Sequence, residues 1–477
     1  MAMRPVLLLP ETLLFVGGLV SLVSGSFLPR ERQWISRVVA ASAVVAAAVL
    51  AVVDLTGPAQ TAFDGTFGVD TATGVARVAA AVGTLIVLAL AADEVAGSPR
   101  ESETYALLLF STAGTLVLAG AEDLLVLAVG FLLTSIPLYG LIGIGRTPGS
   151  AEAAMKTYLL GALFGILLLA GATVLYGVTG TTTYAGISEP LGAAPTGAVA
   201  AGAIGVLAGL VFKAGAVPGH FWVPDAAQGA GGAAAAFLTT VPKIGAVVAA
   251  YRLVTVLPDT LNWTLLVAVL ALASMTLGNL AAYWQTDPRR LLGWSTVSQV
   301  GYLLVPVAVA GSSDLALPSL LLYLIGYTVT NLAAFSVTTA LPELRTLESY
   351  RGLARARPML AAALVVALLG LVGTPPTVVF VGKLTTAAAA WDGGQAWLAV
   401  AVFVNTVISL FYYLRWIVPV FARPHGEEAV ASPGPGAADP APASPRTVSS
   451  VTAVVAATVS LLLGLGAGLV WDQLVAR

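Results

Sequence analysis

The chain reads as an all-α polytopic membrane protein of about fourteen transmembrane helices. Three observations predict this. Of 477 residues, 58% are hydrophobic and only 10% are charged, where soluble domains carry about 25% charge; the mean hydropathy is +0.92. Apolar stretches recur at the length that crosses a bilayer, about 20 residues. Arginine also alternates from one connection to the next, which fixes sidedness.

The segments fall near 6–27, 35–54, 74–92, 104–120, 123–144, 153–177, 197–218, 233–256, 261–284, 291–311, 316–340, 359–390, 395–421 and 448–471. The first follows the N-terminus without a basic region or an Ala-x-Ala site, so it reads as a spanning helix rather than a cleaved signal. Connections are short except 178–196 and 422–447; the latter is rich in Pro, Ala and Gly and reads as a flexible linker. Arg30, Arg32 and Arg37 follow segment 1, Arg100 segment 3 and Arg146 segment 5. Arg289 and Arg290 follow segment 9, Arg345, Arg351, Arg355 and Arg357 segment 11, and Arg423 and Arg446 segment 13. Loops after even-numbered segments carry Asp54, Asp64, Glu122, Glu189, Asp259, Asp314 and Asp392 instead. This pattern predicts a multi-pass protein of the inner (cytoplasmic) membrane, arginine-rich loops inside and both termini outside the cytoplasm.

Segments 7 and 12 look interrupted. Segment 7 runs into VFKAGAVPGHFWVPD, with Pro218 and Pro224 after Lys213; segment 12 contains LLGLVGTPPTVVFVGK, with Pro375 and Pro376 at mid-span. Proline breaks a helix, and a break is tolerated at membrane depth only where protein or water lines it. The two breaks lie five segments apart, and an odd shift inverts topology. Inverted repeats with broken helices near the bilayer centre give this pattern, although two ordinary proline kinks would look alike locally. The repeat reading divides the chain into helices 1–4 (1–121), helices 5–8 (122–256), helices 9–13 (261–421), the linker (422–447) and a last helix (448–477).

The chain has 18 arginines and only four lysines, Lys156, Lys213, Lys243 and Lys383, each in or at the edge of a segment. Arginine keeps its proton in a protein, whereas a desolvated lysine can release it. Lysine reserved for apolar segments therefore points to proton transfer; snorkelling to an interface is the alternative, most strongly for Lys156. His220, near Asp225, could relay protons or be structural. Ser295, Thr296, Ser298, Gln299 and Tyr302 run through segment 10 and could hold a water wire or bond back to their own helix. His425 lies in the linker. All 24 acids fall in loops or near helix ends, Glu11 and Glu122 coming closest to immersion. The absence of cysteine excludes disulfides and thiolate iron–sulfur ligation, two histidines offer little to haem or zinc, and a net charge of −2 argues against nucleic acid.

Several stretches together resemble the antiporter-like, N-type membrane subunits of bacterial NADH–quinone oxidoreductase, respiratory complex I. They are EDLLVLAVGFLLTSIPLYGL (122–141), SAEAAMKTYLLGALFG (150–165), FKAGAVPGHFWVPD (212–225), FLTTVPK (237–243), SMTLGNLAAYWQTDPRRLLGWSTVSQVGYLL (274–304) and GLARARPMLAAALVVALLGLVGTPPTVVFVGK (352–383). The resemblance covers the chain from about 120 onward and is loose over the first three helices. It implies a subunit without a redox cofactor of its own, carrying protons among other membrane subunits in the bilayer. Quinone and NADH would be used by the parent complex. It also implies that Lys213, Lys243 and Lys383 match proton-transfer lysines on helices 7, 8 and 12, and Lys156 the lysine that begins helix 6.

One departure bears on mechanism. Where the family resembles G-L-E-L-x-S-x-P-L-Y in helix 5, this chain reads Gly130-Phe131-Leu132-Leu133-Thr134-Ser135-Ile136-Pro137-Leu138-Tyr139, with Leu132 at the place of a glutamate that would pair with Lys213. Asp123 and Glu122 are nine and ten residues away, about 14–15 Å along a helix. Lesser departures are AQGAGGAAAAF (227–237) and Gly219. The expectation is a proton-translocating subunit whose first half-channel is weakened, unless a neighbouring chain supplies the carboxylate. A cation/proton antiporter or membrane-bound hydrogenase subunit of the same fold, and a non-pumping scaffold, are the alternatives.

Overall fold

The structure is a computed structural model that describes residues 3–423 and 445–476. Nearly all of the expected linker, and His425 with it, lies outside the described residues. The helices are α1 (Leu9–Phe27), α2 (Trp34–Leu55), α3 (Thr71–Val95), α4 (Glu101–Gly120), α5 (Leu124–Gly143), α6 (Pro148–Thr179), α7 (Tyr184–Ala193), α8 (Thr196–Ala214), α9 (Trp222–Gly229) and α10 (Gly232–Val256). They continue with α11 (Trp263–Tyr283), α12 (Pro288–Ala308), α13 (Ala316–Ala340), α14 (Leu353–Ala356), α15 (Pro358–Val372), α16 (Val378–Asp392), α17 (Ala396–Phe421), α18 (Thr447–Leu465) and α19 (Ala467–Val475).

Among the described residues, thirteen helices are long and apolar enough to cross a membrane, not fourteen. The expected twelfth segment is two helices of 15 residues each, α15 and α16, because the chain breaks between Val372 and Val378. The all-helical expectation also missed a small antiparallel hairpin in the connection after α2. There β1 (Gln60–Ala62) pairs with β2 (Phe67–Val69), Thr61 opposite Gly68.

Side chains supply many of the helix starts. Asp123 accepts from the backbone N–H groups of Leu125 and Val126, Asp287 from Arg290, and Thr147 and Ser150 form a reciprocal cap on α6. Two successive acids at the end of α3 reach further. Glu94 accepts from the N–H groups of Gly232 (2.9 Å) and Ala233 (2.8 Å), which begin α10. Its neighbour Asp93 accepts from Ser449 N at 2.6 Å, in the first turn of α18.

Helices α10, α12 and α13 form the centre and are buried almost throughout, whereas α1, α2, α6, α17 and α18 turn large apolar side chains outward. That inversion suits a bundle surrounded by hydrocarbon. Small residues set the closest approach: a Cβ built on Gly205 of α8 would lie 2.7 Å from the Leu167 carbonyl of α6.

Arginine is not confined to loops. Arg77, in α3, is fully buried and donates to Glu11 of α1 (2.8 and 2.9 Å), to Asp54 of α2 (2.8 Å) and to the Leu7 carbonyl. Arg252, near the end of α10, donates to Asp70 (2.7 Å), Glu122 (2.5 Å), Thr73 Oγ1 and the Ala119 carbonyl. Burial pushes the Asp70 carboxyl up, yet the Arg252 guanidinium and the Thr73 N–H outweigh it and hold the carboxyl below its ordinary value. Four of the acids nearest the membrane are thus committed to two arginines.

Candidate functional site

Both breaks are built alike. Helix α8 ends on Gly215 (φ +85°), whose N–H reaches the Val211 and Phe212 carbonyls, while Ala216 N–H reaches Val211. Helix α15 ends on Gly373 (φ +89°), whose N–H reaches the Leu369 and Gly370 carbonyls, with Thr374 N–H on Leu369. A left-handed glycine closes each helix in this way and stops its propagation. Pro218 and Pro376 follow at the same spacing, each after a cis peptide bond. Helices α9 and α16 then restart the chain.

The lysines gather at these breaks. Lys213 is in the last turn of α8, and Lys243 of α10 donates to its backbone oxygen at 3.4 Å. Lys383, on α16, donates to the Leu371 (3.3 Å) and Val372 (2.9 Å) carbonyls at the end of α15. All three lysines are buried, and none takes part in an ion pair among the described residues. A helix that stops inside the bundle leaves carbonyls without intrahelical donors, and two of these lysines supply that need.

A buried polar chain lies between Lys243 and Lys383 in two hydrogen-bonded sets, joined to each other and to Lys243 only through the backbones of α12 and α10. One turn before Lys243, the Thr239 carbonyl accepts from Tyr327 OH (2.6 Å) and Thr239 Oγ1 accepts from Asn331 (3.1 Å). Tyr327 also contacts Thr296 Oγ1 at 3.2 Å. On the same helix as Thr296, Gln299 accepts from Tyr323 OH and donates to the Leu371 carbonyl at 2.8 Å, the oxygen that Lys383 also uses. Three further contacts join Ser298 to Asn279 (2.8 Å), Ser295 to Tyr413 (2.5 Å) and Thr406 to Tyr302 (3.4 Å). The polar residues of segment 10 therefore bond across helices, and Thr296 in addition bonds back to Leu292.

Lys156 stands apart. It is not buried, since 46% of its side chain is accessible, and it pairs with Glu152 (2.7 Å) and Asp225 (2.9 Å). Asp225 also accepts from Arg290 at 2.6 Å, so among the described residues its partners are these two cations rather than His220. The group borders a polar vestibule of about 800 Å³ that reaches the start of α10 and is lined by Glu94, Gln228 and Arg289 among others. His220 packs against Phe221 and Trp294, and among the described residues its Nδ1 and the Trp294 Nε1 find no hydrogen-bond partner. In the 227–237 stretch, Arg289 bonds the Ala230 carbonyl and Glu94 caps α10.

Leu132 is not beside Lys213. It is 41% exposed and lies in an outer apolar groove with Phe15, Phe110, Val129 and Ile136. Its neighbour Phe131 turns inward, and Lys213 Nζ lies 5.3 Å from the centre of that ring.

Residues 121–409, which hold both breaks, all four lysines and the polar chain, match the family model described as NADH:quinone oxidoreductase/Mrp antiporter, TM. The chain is 66% identical to an NADH-quinone oxidoreductase subunit N of Mycobacterium sp. (strain JLS), over 99% of this chain and 98% of that one. The chain belongs to the subunit N family of NADH–quinone oxidoreductases. A second subunit N, from Streptomyces griseus, is 49% identical over 98% of each chain. A chain in the structure of respiratory complex I from Thermus thermophilus with bound Aureothin superposes with a TM-score of 0.81, at 30% identity over 98% of this chain and 99% of that one.

Within this subunit N, sequence reading missed the partners that make the polar residues into a chain. Tyr323, Tyr327 and Asn331 sit four apart on α13, a one-face spacing that signals shared direction. Asn279 and Asn405 are polar residues inside apolar segments and carried a similar signal.

Proposed function

We propose that this subunit carries protons across the membrane of a complex I-type assembly through Lys213, Lys243 and Lys383. Lys156 and His220 stand on the cytoplasmic approach, and quinone reduction elsewhere in the complex supplies the drive. The single observation that carries this reading is the pair of buried hydrogen-bonded sets lying between Lys243 and Lys383, each lysine on a carbonyl released by a broken helix. A buried amine among hydroxyls and amides can accept and pass on a proton; Ser295, Ser298, Gln299 and Tyr302 support that path. The chain binds no redox cofactor in this reading, and NADH and quinone belong to other subunits.

The matching breaks at Gly215–Pro218 and Gly373–Pro376 support two inverted five-helix repeats. On that reading α8 with α9, and α15 with α16, each count as one crossing, giving fourteen. The repeats retain the boundaries expected from the sequence, 122–256 completing the first and 261–421 forming the second. Both termini then lie outside the cytoplasm, with the vestibule and arginine-rich loops inside. The first half-channel works without a helix 5 carboxylate, since Leu132 faces the outer groove, and its gating is weaker than that of the second. The relatives named subunit N favour this reading over an antiporter or hydrogenase subunit, and three buried lysines favour it over a scaffold.

The test is Lys243→Met in the assembled complex reconstituted into vesicles, with NADH oxidation and proton uptake recorded together. The expected result is fewer protons moved per NADH. An unchanged ratio overturns the reading.

A further inference from the structure

The three buried lysines share a contact that a role in proton transfer does not by itself require. Each ammonium lies over an aromatic ring: Lys213 Nζ at 5.3 Å from Phe131 of α5, Lys243 Nζ at 4.3 Å from Trp222 of α9, and Lys383 Nζ at 4.0 Å from Tyr302 of α12. All six side chains are buried. The exposed Lys156, by contrast, has two carboxylates and, among the described residues, no ring. The division is clean: where carboxylates reach the lysine there is no ring beneath it, and where there is none a ring is present.

We propose that Phe131, Trp222 and Tyr302 are positioning residues that provide the counter-charge for the three membrane lysines in place of carboxylates. The face of an aromatic ring is electron-rich and attracts a cation within about 6 Å, more strongly when both are out of water. It cannot take the proton itself, and its attraction is a fraction of that of a full negative charge at similar range. A lysine over a ring can therefore hold a proton in passing without an ion pair that must be broken to release it. Lys213 depends on this most. Lys243 and Lys383 also donate to backbone carbonyls, whereas among the described residues Lys213 Nζ has neither a hydrogen-bond partner nor an acid.

The rings are held for the purpose. Trp222 Nε1 donates to the Phe212 carbonyl at 3.1 Å, Tyr302 OH accepts from Thr406, and Phe131 packs closely on Gly165 of α6, where a Cβ would come within 3.2 Å of its edge. Phe131 also explains how α5 serves Lys213 without an acid at Leu132. Successive helical residues are rotated by about 100°, so Leu132 faces outward while Phe131 faces in.

This inference rests on the lysines acting in proton transfer, and its test separates the two. Phenylalanine carrying one, two or three ring fluorines is incorporated at position 131 of the subunit in the assembled complex. Fluorination withdraws charge from the ring face and barely alters its shape, so assembly is retained. Lys213→Leu, measured alongside, defines the share of proton translocation that depends on Lys213. That share should fall stepwise along the series, to about a tenth with three fluorines. A flat series beside a clear loss in Lys213→Leu overturns the role of the ring and leaves the lysine reading standing. No loss in Lys213→Leu overturns both.

Discussion

Lys243 Nζ donates to the backbone oxygen of Lys213, so the two lysines meet through an ammonium and a carbonyl rather than charge against charge. The second break repeats the contact, with Lys383 on the Leu371 oxygen. Each carbonyl belongs to the residue two before the left-handed glycine, Gly215 or Gly373. Helix termination and the seating of a buried lysine are therefore one structural event at each break.

Substituting either glycine tests that link. Gly215→Ala puts a methyl 3.1 Å from Lys243 Nζ, and Gly373→Ala puts one 2.9 Å from Lys383 Cδ. The left-handed backbone adds about 1–2 kcal/mol of strain. Both variants should lose protons per NADH in vesicles more than they lose quinone reduction. Gly394→Ala, also at positive φ (+75°) but facing open space, should show only the strain, as a small fall in thermal stability.

Arg77→Met leaves Glu11 buried and unpaired, a change that costs about 3–5 kcal/mol. The expected outcome is a lower melting temperature and faster proteolysis within the first three helices. The double variant Arg77→Met with Glu11→Leu should recover most of the loss, because it removes the stranded charge as well; thermal unfolding in detergent reads both.

The Asp70–Arg252 contact should weaken in acid. The Asp70 carboxyl is held below its ordinary 3.8 in the folded chain. A depressed acid contributes stability that is complete above its unfolded value and is lost as pH falls through the folded one. Melting temperature should therefore drop more steeply below about pH 4 in the native protein than in Asp70→Asn, which lacks the titrating group.

Sidedness can be read directly, since the native chain contains no cysteine. Thr346→Cys, in the loop after α13, should react with an impermeant maleimide only from the cytoplasmic side. Gly311→Cys, after α12, should react only from the opposite side; labelling in the reverse sense excludes the predicted orientation.

Hydropathy made the spans legible because burial in lipid demands long apolar runs, and the prolines made both breaks legible because they remove backbone donors. Lysine in apolar sequence likewise marked Lys213, Lys243 and Lys383. Lys156 was harder, since a residue at a segment edge can face either bundle or vestibule, and Glu152 and Asp225 draw it to the vestibule. Arg77 was assigned no role because its partners Glu11 and Asp54 lie 66 and 23 residues away in other helices. The inward turn of Phe131 was hidden for another reason: α5 is apolar on every side, so its sequence contains no stripe from which to read its rotation. The hairpin of β1 and β2 has strands of three residues, too short for alternation to appear.

Asp93 and Glu94 bind the first turns of α18 and α10, which lie 356 and 138 residues further along the chain. Helix α18 and the helix bearing Lys243 are in consequence moored to one bollard. At that end neither can slide past the other unless a backbone amide is pulled off a carboxylate. Whatever grips α18 from outside the chain also holds the register of Lys243.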